Sequence, residues 1–424
     1  NSLMEANIFQ KKGICHETLK LLISIPLEIQ KVVYSNFMDT HLDSIVKLTS
    51  VDSDNVRETS IDIITLLYSK SLPTSSNTIK VINMLIERTN CIDLENVSDL
   101  HEEQRPTPSQ LPMQMIRVKE TVEEIRSKFV DIWEQIAMTL DFEESIDCMS
   151  DLVNIIRTFL MDSCIDVQVK ACRVLTEYLV MQREMLINFS EIICRSLLIV
   201  LISKKSRARL AAMRALENLM FIGPFKQAYG VMDILIGFKD PNLVAIKEFY
   251  QPSMRVNYLS ILINDEKRIV RETFLSILEN WFLNLKDRED HYPRLLPYLL
   301  SFLFDSDDDI SQMTVDILEE IGKGIERNQE EKFRDYKQFD LKEKWSFGGL
   351  IYNKYLLKPF ESRPRLGLRF LIQTNLSKLI HPLKRELKES INEDNLLKVL
   401  KLTKYIIFIT EESIIEYCKD LIPL

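Results

Sequence analysis

The sequence predicts an all-α solenoid, a stack of antiparallel helix pairs that share one elongated core. Three observations predict it: an apolar–turn–apolar pattern written several times along the chain, very little glycine, and a length too great for one compact interior. The chain has 424 residues, 46% of them hydrophobic and 28% charged, ample apolar material for a packed core. Single cores stop growing at about 250–300 residues, so this one is extended or divided. With 9 glycines and 14 prolines, and with Leu, Ile, Lys and Glu prominent, the composition suits helices and is poor for sandwiches, barrels or doubly wound sheets.

The repeat is an apolar helix, then a turn carrying Asp or another polar residue, then a small apolar–basic pair that opens a second helix. Copies run over Ile45–Leu67, Leu152–Leu179, Leu197–Leu219, Val256–Leu283 and Leu295–Ile321. Taking Val169, Ala208, Val270 and Ile310 as equivalent positions gives intervals of 39, 62 and 40 residues. Two of these match the roughly 40-residue HEAT and armadillo unit. The predicted architecture is therefore a HEAT/armadillo-like α-solenoid, a right-handed superhelix of helix pairs.

Each second helix shows one apolar face. Val270, Phe274, Ile277 and Trp281 recur at steps of 4, 3 and 4, and Val169, Cys172, Leu175 and Leu179 at steps of 3, 3 and 4. First helices such as Leu295–Phe304 are apolar on more than one side, so neighbouring units must cover them. Pro297 removes one backbone hydrogen bond there and bends the helix. Asp52, Asp162 and Asp265 are placed to cap the second helices. Arg57, Lys170 and Arg271 are placed to pair with the Asp of an adjacent copy, forming a ladder. Lys204-Lys205 replaces the Asp in one copy, and Ser311 replaces the base in another.

The expected organisation is helix pairs over 1–91, an acidic then Pro-rich loop over 92–112, and central repeats over 113–327. The central repeats contain an insertion near 223–252, with a short extra helix around Val231–Phe238. An extended connector follows over 328–364, and further helices over 365–424 are expected to continue in a longer protein.

Several chemistries are set aside. Net charge is −9, which disfavours wholesale attraction to nucleic acid or anionic lipid. The longest apolar runs, such as Leu197–Ile202, fall far short of the roughly 20 residues of a membrane helix. No secretory signal is read in residues 1–5. The seven cysteines form no CxxC pair and read as reduced, small apolar groups of a cytosolic protein. No Walker-type loop or nucleophile elbow is present, and the five histidines are scattered. Gly322-x-Gly324 and Gly348-Gly349 lack the context of a phosphate loop. Asp305, Asp307, Asp309 and Asp316 imitate the start of a calcium loop, but Ile310 stands where its glycine belongs. Trp133 and Trp281 read as core, and Trp345 as part of the connector. No catalytic residue, cofactor, metal or small-molecule substrate is expected; the chain reads as non-enzymatic.

The candidate sites are surfaces for proteins. The basic cluster Lys204, Lys205, Arg207 and Arg209, with Arg214 beyond it, lacks the aromatic platforms of a nucleic-acid site and suits an acidic partner protein. The acidic turn Asp305, Asp307, Asp308 and Asp309 suits a basic partner. Arg363 and Arg365 belong to an unusual RPRLG stretch.

Several segments resemble a known family. They are EIRSKFVDIWEQIA (Glu124–Ala137), the SKKSRARLAAMRALENLMFIG segment, IVRETFLSILENWFLNLKDRED and YPRLLPYLLSFLFD. The most specific is Arg363-Pro364-Arg365-Leu366-Gly367 followed by Asn375-Leu376-Ser377-Lys378. Over roughly residues 120–420, and weakly before residue 100, the chain is similar to the HEAT repeat-containing dynein axonemal assembly factor family, of which it resembles about the N-terminal half. The Gly223–Pro252 stretch departs from the family as a longer insertion. The resemblance implies a scaffold for cytoplasmic preassembly of axonemal dynein arms in ciliated or flagellated cells. Dynein chains (the intermediate chain among them), other assembly factors and chaperones would be its partners; there would be no nucleic acid, membrane or small-molecule partner. It offers no catalytic residues. The alternative is a HEAT adaptor of another kind, phosphatase-scaffold-like or transport-receptor-like.

Overall fold

A computed structural model describes residues 7–71, 73–89, 119–140, 142–223, 225–236, 257–331, 356–389 and 393–421. Among the described residues the regular structure is helical throughout. The chain divides into two compact units, Asn1–Ile222 and Gly223–Leu424.

The first unit holds nine helices among its described residues: α1 Ile8–Ile23, α2 Leu27–Leu48, α3 Asp54–Lys70, α4 Ser75–Thr89, α5 Glu123–Thr139, α6 Phe142–Leu160, α7 Ile165–Met181, α8 Ser190–Leu201 and α9 Ser206–Leu219. They form two rows. The first helices α2, α4, α6 and α8 pack one on the next, and so do the second helices α1, α3, α5, α7 and α9. This is the arrangement that lets a pair bury an apolar face it cannot bury alone. Trp133 shows how one residue joins three helices. Its indole on α5 is buried, donates to the Leu152 carbonyl of α6 at 2.9 Å, and meets Tyr178 of α7 edge-on at 5.2 Å between centroids. Truncating such a side chain costs about 3–5 kcal/mol.

The second helices share a register that the structure corrects. The position just inside each second helix, five residues after its turn, is Val56, Ile125, Val167 and Ala208 in the first unit, all essentially inaccessible. Val167, not Val169, is thus the equivalent residue; Val169 is only half-buried. Both are valines two apart, and the basic Lys170 behind Val169 imitates the expected pattern. With the right residue, Ile125 to Val167 spans 42 residues and Val167 to Ala208 spans 41, which regularises the repeat.

The second unit holds α10 Phe225–Ile236, α11 Tyr258–Ile263, α12 Arg268–Asn284, α13 Arg288–Ser301, α14 Asp308–Asn328, α15 Leu366–Glu389 and α16 Glu393–Thr410. The extra helix expected at Val231–Phe238 is α10, which begins earlier, at Phe225; residues 237–256 lie outside the described residues. So do the 92–112 loop and the 332–355 part of the connector with Trp345, while Trp281 is buried as expected. Every residue of α13 from His291 to Ser301 is buried, as a first helix covered on all sides should be, and both Pro293 and Pro297 lie within it.

The last pair reverses its order. α15, first in sequence, packs against α14 in the second-helix row, and α16 packs against α13 in the first-helix row. Tyr405 of α16 stacks on Phe304 at 6.0 Å, and Lys398 reaches Asn264 at the end of α11 at 2.8 Å. The α14–α15 crossing is made by two glycines. A Cβ on Gly367 would collide with the Gly322 carbonyl oxygen, and one on Gly322 would lie 2.9 Å from the Leu368 nitrogen, so only bare backbone permits this approach.

Candidate functional site

The turns between first and second helices carry the charges singled out in the sequence. Six residues past the first turn position, one side chain folds back onto its own turn. Arg57 donates to the Val51 and Asp52 carbonyls, Arg126 to Glu120 and Thr121, Gln168 to Asp162, Arg209 to Ser203 and Arg271 to Asp265, most of these at 2.7–3.0 Å. Three of these arginines also grip the acid of the next turn. Arg57 holds Glu120 through two bonds of 2.9 Å, Arg126 holds Asp162 at 2.8 and 3.1 Å, and Arg271 holds Asp305 at 2.8 and 3.0 Å. Each rung therefore closes one turn and staples it to the following pair, with bidentate charge-assisted geometry.

The ladder exists, with corrected members. Arg271 and Arg57 belong to it as expected, the latter with a glutamate for its acid. Lys170 does not: its ammonium faces Asp131 of α5 at 2.7 Å and Ser127. Gln168 holds the true slot. Arg126 and Glu120 were missed in the sequence because their first helix, α4, lies on the far side of the 92–112 stretch. Asp162, Asp265 and Asp305 each accept the backbone N–H two residues on, at 2.7–2.9 Å, which sets the turn ahead of the second helix; Asp52 contributes a carbonyl instead. Glu120 is wholly buried and also takes a bond from Arg88. Burial alone would raise its pKa, but the Arg57, Val122 and Arg88 hydrogen bonds outweigh that and hold it below the usual carboxylate range.

A second set of pairs, less buried than the rungs, runs along the same row. Lys128 of α5 reaches back to Glu58 and Asp62 of α3, Lys170 to Asp131, and Arg207 of α9 to Asp166 of α7 at 2.7 Å. The last of these is exposed on both sides and contributes little.

The predicted partner-binding residues sort into engaged and free. Asp305 is held by Arg271, and Asp307 and Asp309 by Arg268 at 3.2 and 2.9 Å, leaving Asp308 exposed. Arg363 pairs with Glu411. Arg365 bonds Glu319 at 3.1 Å and Glu326 at 3.0 Å, while the Gly367 N–H donates to Glu326 at 2.9 Å. The RPRLG stretch thus forms the joint that docks α15 on α14. Arg209 closes its own turn. Lys204 and Lys205 differ: both are exposed, and neither ammonium has a polar partner among the described residues.

Among the described residues no group of His, Cys, Asp or Glu is placed to hold a metal, and no helix is long and apolar enough to cross a membrane. A shallow groove of about 400 Å³ lies between α1 and α3, lined by Leu19, Ile23, Asp62, Thr65, Leu66 and Ser69. Cys15, Cys148, Cys172 and Cys194 are buried. Burial pushes the Cys172 and Cys194 thiols up to about 12, which leaves them unreactive near neutral pH.

The geometry defines a class: repeat proteins whose extended helical rows present surface rather than pocket. Residues 111–236 and 255–336 match the family model described as dynein axonemal assembly factor 5-like, TPR repeats. A frog (Xenopus laevis) dynein axonemal assembly factor 5 is 24% identical over 259 residues, covering 60% of this chain and 27% of the relative. The human (Homo sapiens) one is 34% identical over 116 residues, covering 27% of this chain and 12% of the relative. The chain belongs to the dynein axonemal assembly factor 5-like family, and its matched part spans about a quarter of the frog relative. The solved structure of the karyopherin Kap121p is 12% identical, covers 99% of this chain and 44% of its own, and has a TM-score of 0.43. The 40–42-residue intervals exceed the roughly 34 residues of a TPR unit and fit the HEAT type.

Proposed function

We propose that this chain is a non-enzymatic scaffold for the cytoplasmic preassembly of axonemal dynein arms, holding dynein chains and cofactors on its helical rows. One observation carries the reading: a family match to dynein axonemal assembly factors falls on rows of stapled helix pairs. Buried arginine rungs keep such rows in register, and a rigid extended surface lowers the ordering cost of binding large partners. The turns and exposed helix faces supply the contacts.

Affinity capture with the full chain from cytosol of ciliated cells tests it. Dynein intermediate or heavy chains, with chaperones or other assembly factors, are the expected prey. Recovery of a phosphatase catalytic subunit or nuclear transport cargo without any dynein chain overturns the reading in favour of another adaptor role.

A further inference from the structure

The α8–α9 turn departs in a correlated way from the α4–α5 and α6–α7 turns, which begin with Glu120 and Asp162. Its first position is Ser203 where other turns offer Glu120 or Asp162 to an arginine, and the preceding ladder slot is Gln168 where the others hold Arg57 or Arg126. A buried bidentate rung is thus replaced on both sides at once, so neither partner is left uncompensated. In its place stand Lys204 and Lys205. Among the described residues nothing pairs with their charge.

The surroundings of this edge select a partner. Lys205 is the N-cap of α9 and makes no side-chain cap, so the positive end of the helix dipole lies beside the two ammonium groups. Arg207 and Arg214 continue the positive stripe along the exposed side of α9, with Asp166 offsetting Arg207. Just before the turn, Ile202 and Ile199 expose 44% and 40% of their surface. Cationic groups, an uncapped helix start and two bare isoleucines are complementary to carboxylates alternating with bulky apolar side chains. Nucleic acid is the poorer fit, because no aromatic side chain stands here for bases to stack on.

We propose that the α8–α9 edge docks an acidic, leucine-containing segment of a partner protein. The carboxylates meet Lys204, Lys205 and the start of α9, and an apolar side chain seats on Ile202 and Ile199. This deepens the scaffold reading and rests on it for the partner's identity alone.

Fluorescence anisotropy with the full chain tests it. The probes are a labelled peptide of repeating Glu-Glu-Leu, its Lys-Lys-Leu counterpart and a single-stranded DNA of equal length. The Glu-Glu-Leu peptide is expected to bind, more weakly as salt rises. The Lys204→Glu/Lys205→Glu variant, altered only at exposed positions, is expected to bind it at least about tenfold more weakly, and Ile202→Ser to weaken it at all salt concentrations. No binding by the wild-type chain, an unchanged affinity in the double variant, or tighter binding of the DNA or the Lys-Lys-Leu peptide overturns the inference. Capturing dynein chains with the wild-type chain in parallel separates the two readings. Capture undiminished in the double variant, with peptide binding also unchanged, removes the edge and leaves the scaffold. Edge-dependent peptide binding without dynein capture supports the edge and removes the dynein role.

Discussion

Glu120 meets two buried guanidinium groups, from Arg57 and Arg88, and it is the one carboxylate of the described ladder held from two helices at once. Removing one partner of a buried pair leaves a stranded charge, which costs about 3–5 kcal/mol. Glu120→Ala is expected to lose that much in urea unfolding, whereas Lys204→Ala, at an exposed position, should stay within about 0.5 kcal/mol of wild type. The pH dependence follows from two groups. Glu120 titrates below its unfolded value, so its contribution is present above the ordinary carboxylate range and disappears as pH falls through the folded pKa. His291 is buried in α13, and burial, with Arg294 nearby, lowers its pKa to about 4 from 6.5. The unfolded chain then takes up the proton first, so stability declines as pH drops below 6.5 and levels off near 4. Between pH 7 and 5 this should remove about 2 kcal/mol, and His291→Leu should lose that share of the slope in paired urea titrations.

The α14–α15 joint turns on which glycine is replaced. Gly367 sits against the Gly322 backbone, so Gly367→Ala must push α15 off α14, an overpacking cost of about 1–3 kcal/mol. Gly324, two residues along the same helix, has only Leu283 near its Cβ direction, at 3.9 Å, so Gly324→Ala should stabilise α14 by about 0.5–1 kcal/mol. Thermal melts of the two variants are expected to shift in opposite directions; a shift of the same sign in both would contradict the joint. The sequence displays both glycines and the RPRLG stretch, yet its local pattern assigns them no partner. Gly322 and Gly367 meet across a gap of 45 residues, and a crossing between distant helices leaves no periodic trace. The same reason hid Arg365's attachment to Glu319 and Glu326, which local reading left as a surface feature. Helix identity and the ladder members Arg57 and Arg271 were legible because a turn and its second helix lie within a few residues of each other.

At the scale of the molecule, legibility followed the repeat and failed where it was interrupted. Val270 and Ile310 were aligned correctly because Asp265 and Asp305 precede them at equal distance, while Val169 displaced Val167 where two valines competed. The inverted last pair was not legible, since the segment before Arg363 separates α14 from α15 in sequence while the structure makes them neighbours. In a nearest-neighbour stack, stability is close to a sum of unit and interface terms, so a lesion should act where it is made. Arg126→Ala breaks the rung to Asp162 and opens the turn ahead of α5. It is expected to speed amide exchange in α3, α5 and α7, which pack in one row, and to leave α12 and α14 at wild-type protection. Arg271→Ala should do the converse, exposing α12 and α14 and sparing α5 and α7. Hydrogen-exchange mass spectrometry on the two variants reads both patterns in one experiment. If either substitution loosened all of these helices together, the molecule would unfold as one cooperative body, and the rungs would be stabilising a shared core rather than successive pairs.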